Sequence, residues 1–119
     1  MNRVKILYIG GHDSINNFLR LISIQKRSDL VVLTASSKKE AISILTGNID
    51  TRHLVIHGHM EELLKEIQRD KKAMVGKPII NVISENEDIK KRLEKLGCDF
   101  TFAAPQDFLN HIAHFHQQM

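Results

Sequence analysis

VKILYIGGHDS, residues 4–14, decides the fold. Four consecutive apolar residues, Ile6 to Ile9, run straight into Gly10-Gly11, and Asp13-Ser14 then offer a helix start. A short continuous apolar run closed by glycine fits a strand buried on both faces, as in a parallel sheet. The carboxyl end of such a strand is where an open α/β sheet gathers its functional groups. The residues at that rim therefore carry most of the functional argument.

Outward from this strand, the same alternation repeats. The first helix is expected near Ser14, with Asp13 or Ser14 as N-cap and Ile15, Phe18, Leu19 and Ile22 as its buried stripe. A second strand is predicted over Leu30–Thr34. A helix from Lys38 to Leu45 follows, capped by Ser36-Ser37 and stopped by Gly47-Asn48. The third strand is His53–His57, and its helix carries Met60, Leu63, Leu64 and Ile67, with Glu61 and Glu62 in the first turn. Lys71–Lys77 reads as a polar connector or a frayed extension of that helix.

The fourth strand opens at Pro78 and runs to Ile83. Asn81 is out of place there, so it either reaches a backbone partner or marks a half-exposed face. A helix over Glu87–Leu96, with Ile89, Leu93 and Leu96 inward, is stopped by Gly97. The fifth strand is Asp99–Ala103, and the last helix starts at Pro105 with Phe108, Leu109, Ile112 and Phe115 on its apolar face. His116 to Met119 reads as a frayed end or the start of a linker to a further domain. Five β/α pairs with right-handed crossovers predict a doubly wound parallel sheet of order 2-1-3-4-5, one domain over residues 1–119.

Composition narrows the function. The 42% hydrophobic and 26% charged residues are ordinary for a globular chain and argue against disorder. No apolar stretch approaches the ~18 residues of a membrane span, and none has the layout of a signal peptide. The single cysteine, Cys98, fits a reducing cytosol and reads as a small core or near-surface thiol. A net charge of +3 is spread over short clusters such as Lys38-Lys39 and Lys90-Lys91-Arg92, so no direct nucleic-acid contact is expected.

Two groups of residues invite a chemical reading. Gly10-Gly11 could cradle a phosphate at a helix N-terminus, but neither G-x-G-x-x-G nor G-x-x-x-x-G-K-[ST] is present, and a plain turn is the simpler account. His12, His57 and His59 follow neighbouring strands. They are candidate metal ligands, or else ordinary loop histidines. The spacing around His57 does not support a phosphohistidine carrier. His111, His114 and His116 are expected on an exposed, pH-sensitive helix face. Four of the five phenylalanines, Phe100, Phe102, Phe108 and Phe115, fall in the last quarter of the chain, either as core or as a contact surface.

With the elements placed, the chain resembles a response-regulator receiver domain over nearly its full length. The resemblance rests on KILYIGGHD (5–13), ASSKKEAISIL (35–45), KPIINVIS (77–84) and above all GCDFTFAAP (97–105). It implies a flavodoxin-like (βα)5 sandwich. It also implies phosphoryl transfer to an aspartate, with Mg²⁺ on carboxylates after the first strand and a hydroxyl residue and a lysine on the phosphoryl oxygens.

This chain departs at each of those positions. The acidic pair aligns with Gly10 and Gly11, the acceptor with His57 or Gly58, the hydroxyl with Ile83 or its neighbour Ser84, and the lysine with Ala104. The resemblance therefore implies a degenerate pseudo-receiver: no enzyme, no cofactor, and signalling by phosphorylation-independent contacts with a protein partner of a bacterial pathway. In receivers the partner or dimer face is formed by the fourth helix, fifth strand and fifth helix, which here implicates Ile89, Leu93, Phe100, Phe102, Phe108 and Phe115. The alternative is a small ligand- or metal-binding protein using the strand-end glycines and histidines. Fold alone does not choose between them.

Overall fold

The computed structural model describes residues 3–57, 61–70 and 77–117, without the side chains of residues 61 and 115–117. The chain alternates β1 (Val4–Ile9), α1 (His12–Ile24), β2 (Leu30–Ala35), α2 (Lys38–Gly47), β3 (His53–His57), α3 (Glu61–Arg69), β4 (Ile79–Ile83), α4 (Glu87–Lys95), β5 (Phe100–Phe102) and α5 (Pro105–Gln117). The strands form one parallel sheet of order β2-β1-β3-β4-β5, as the sequence predicts.

Strand alternation sorts the core into two layers. On one face Leu7, Ile9, Leu54, Ile56, Ile80 and Val82 pack under Ala41 and Leu45 of α2, Leu63, Leu64 and Ile67 of α3, and Leu93 of α4. On the other, Ile6, Tyr8, Val55 and Ile83 pack under Ile15 and Phe18 of α1 and Phe108, Leu109 and Ile112 of α5. Both faces are buried, which is why the strands read as unbroken apolar runs. No helix among the described residues is long and apolar enough to cross a membrane.

Several local expectations need correction. Helix α1 starts at His12, earlier than Ser14, with Gly11 as an extended N-cap that makes no side-chain cap bond. The bond from the Ile15 N–H to the Gly11 carbonyl, 3.0 Å, closes the first turn without Asp13 or Ser14. Leu19 is 40% exposed; Leu21 takes its place on the packed side beside the expected Ile22. Strand β5 is shorter than Asp99–Ala103, because the Asp99 carboxylate accepts the Ile80 N–H at 2.8 Å and the chain then turns into α5. Helix α5 continues through His116 and Gln117, while residues 118–119 lie outside the described residues, as do 71–76 of the connector after α3.

Other expectations hold. The Ser37 hydroxyl accepts the Glu40 N–H and caps α2. Gly97 follows α4 at φ +96°, a left-handed conformation that favours glycine after a helix end. Asn81 is fully buried and does reach backbone partners: its Nδ2 donates to the Leu54 and Ile79 carbonyls at 3.1 Å each. The same nitrogen lies 3.2 Å from His53 Nδ1.

Candidate functional site at the strand ends

The carboxyl rim of β1, β3, β4 and β5 divides into a closed half and an open half. The closed half is built around Gly10. A β-carbon placed there would lie 3.3 Å from Tyr8 Cε1, 3.4 Å from Ser14 Cβ and 3.5 Å from His57 Cβ. Gly10 is itself buried, so a side chain there requires the Tyr8 ring to give by a few tenths of an ångström. Tyr8 is the wedge. It is fully buried and its ring stacks on Phe18, centroids 4.4 Å apart. Burial pushes the Tyr8 hydroxyl above its ordinary pKa, and the nearby Ser14 hydroxyl pulls partly back. Gly11 is different: it is exposed, and nothing lies within 4 Å of a β-carbon there.

The open half is a cleft of about 470 Å³. Its polar lining is His57 from the end of β3, with Ser84, Glu85 and Asn86 from the β4–α4 turn. Its apolar lining is Ile83, Ile89, Ala103, Ala104 and Pro105. The turn is rigidly made. The Ser84 hydroxyl accepts the Asn86 N–H at 3.1 Å, and the Asn86 side chain accepts from Asp88 and Ile89 N–H as the N-cap of α4. Ser84 is 7% exposed and Ile83 2%. Ser84, directly after β4, is thus the hydroxyl at the rim, and Ile83 belongs to the core.

Of the three candidate metal-binding histidines, two lie among the described residues. His57 lines the cleft, but His12 sits exposed on the first turn of α1 and does not. Gly58 and His59 lie outside the described residues. Among the described residues no group of three or more His, Cys, Asp or Glu could hold a metal ion.

The proposed contact face is also redrawn. Leu93 and Phe108 are fully buried and have no surface to offer. Leu93 belongs to the layer under α2–α4, and Phe108 is wedged between Phe18, His53 and Phe102 at centroid distances of 6.2, 5.8 and 5.8 Å. Phe100 and Phe102 are half-buried, as is Ile89, and the Phe115 side chain lies outside the described residues. His111, expected on an exposed face, instead lays its ring against Phe100 at 4.6 Å and Phe102 at 5.3 Å. Sequence reading missed this because the pairing depends on how α5 crosses β5. The capping role of Asn86 was missed too, although an Asn one residue before Glu87-Asp88 is a usable N-cap signal.

Cys98 is half-buried and packs at the edge of the α2–α4 layer.

Comparison with solved structures shows where this architecture recurs. A de novo designed Rossmann 2x3 fold protein matches with a TM-score of 0.68 at 15% identity, covering 96% of this chain and 90% of that one. A LuxR family DNA-binding response regulator from Silicibacter pomeroyi matches at TM-score 0.65 and 16% identity, covering 92% and 88%. A putative CpaE2 pilus assembly protein from Sinorhizobium meliloti matches at TM-score 0.63 and 16% identity, covering 92% and 98%. The fold is receiver-like. No protein-family model matches the sequence, and no curated protein matches it. At such identities the likeness speaks to fold alone.

Proposed function

We propose that this chain is a receiver-like signalling module that works without phosphorylation, through contacts with a protein partner. One observation carries the reading. The place at the end of β1 where a receiver holds a metal-binding carboxylate is Gly10, a buried glycine at which a β-carbon would meet the Tyr8 ring at 3.3 Å. The other positions agree: the lysine position is Ala104, and the last residue of β3 is a histidine, a poor substitute for an acceptor carboxylate. With glycines at the carboxylate positions and a histidine at the end of β3, this reading assigns the chain no phosphoryl-transfer activity. A cytoplasmic place in a bacterial signalling pathway follows from the same reading.

The test is intact-mass measurement after incubation with Mg²⁺ and a small acyl phosphate. The expected result is an unchanged mass. A stable gain of one phosphoryl group would sink the proposal.

Partner contact through α4, β5 and α5 is part of this reading, carried among the described side chains by the half-buried Ile89, Phe100 and Phe102, with Phe115 the further candidate. A second reading, a small-ligand binder, draws on the cleft, whose volume of about 470 Å³ falls within the usual range of ligand sites and which includes His57 and Ser84.

A further inference from the structure

We propose that the cleft at the ends of β3, β4 and β5 receives a basic side chain, arginine or lysine, presented by the protein partner. The inference rests on the protein-contact reading above and adds what the partner must bring.

Shape comes first. Ala103 and Ala104 are small, and with Ile89 and Pro105 they make an apolar wall along the cleft. Such a wall suits the methylene stem of a long charged side chain, which buries its stem and keeps its head at a polar rim. Ser84, Glu85 and Asn86 make that rim.

Charge decides the sign. Among the described residues no lysine or arginine lines the cleft, and Glu85 is the one carboxylate in its lining. Glu87 and Asp88 follow at once in the first turn of α4; Lys90 offsets Glu87 at 3.1 Å, leaving Glu85 and Asp88. The N-terminus of α4 favours an anion, but a helix end is worth only about half a positive charge. Asn86 already occupies the Asp88 and Ile89 N–H groups there. The local balance is negative on a chain whose net charge is +3. A carboxylate or phosphate ligand would meet like charge; a guanidinium or ammonium meets its complement.

The experiment is amide NMR of the ¹⁵N-labelled chain, titrated with a Gly/Ser peptide carrying one arginine and with its citrulline twin. The twin keeps the shape and removes the charge. The arginine peptide is expected to shift Ser84, Glu85, Asn86, Ala103 and Ala104 saturably, and the citrulline peptide to bind about threefold more weakly, the scale of an exposed charge pair. Glu85→Gln, at an exposed position, is expected to erase the difference between the twins.

No saturable shift, equal binding of the twins, or an undiminished difference in Glu85→Gln overturns the inference. So does tighter binding of free butylguanidinium than of the peptide, which would mark a small-molecule site. The acyl phosphate experiment is independent: a phosphoryl adduct removes the underlying reading, whereas a peptide failure without an adduct removes this inference alone.

Discussion

Gly10 and Gly11 are adjacent and chemically identical, yet the fold treats them differently. Gly10 is buried with three side chains close about it; Gly11 is exposed with open space. Gly10→Asp is therefore expected to cost about 1–3 kcal/mol, the range for overpacking a filled site. Gly11→Asp is expected to stay within about 0.5 kcal/mol, as surface changes usually do. Urea midpoints of the two variants check this, and equal midpoints would refute the closed rim.

Cys98 gives a second residue-scale outcome. Burial, with the Glu94 and Asp99 carboxylates pushing the same way, raises its thiol from 9.0 to about 11. The folded value lies above the unfolded one, so between those values the unfolded chain sheds a proton the folded chain keeps. The stabilisation is fully present below pH 9.0 and is lost as pH rises through about 11. Stability measured against pH is expected to fall more steeply across that window in the wild type than in Cys98→Ala. Parallel curves would remove the thiol as the cause.

At the level of elements, Asn81 shows how a polar residue sits inside a central strand. Its amide holds the Leu54 and Ile79 carbonyls and faces His53, whose ring meets Phe108 edge-on. Asn81→Ala strands those acceptors, and a loss of about 1–3 kcal/mol is expected in chemical denaturation. A loss below about 0.5 kcal/mol would show that the network carries little. The apolar runs around Leu7, Leu54 and Ile80 made the parallel sheet legible in the sequence, since burial on two faces leaves only one pattern. Helix periodicity was less informative. It marked Leu19 as inward and could not say whether Leu93 and Phe108 face core or partner, because a stripe gives direction without depth. At the rim, the small residues Gly10, Gly11 and Ala104 were legible in the sequence. That the Tyr8 ring lies against Gly10 was not, because the residue belongs to the strand and its contact is made across the turn.

For the molecule as a whole, β5 is a three-residue edge strand with Phe100 and Phe102 half-buried against His111. So short an edge offers few backbone groups for pairing, and any contact here works through side chains. If a second copy is a partner, light scattering is expected to show a concentration-dependent dimer that Phe100→Lys abolishes. A strict monomer at high concentration would reject the homodimer and leave the heterologous partner.

The Tyr8 ring has one more consequence, for any change at position 10. A β-carbon there would sit 3.3 Å from Tyr8 Cε1, and the ring that must give way is held by its stack on Phe18. Positions 8 and 10 are therefore expected to be coupled: shrinking Tyr8 eases a side chain at position 10 and forfeits the stack, so the two substitutions together cost other than the sum of each alone.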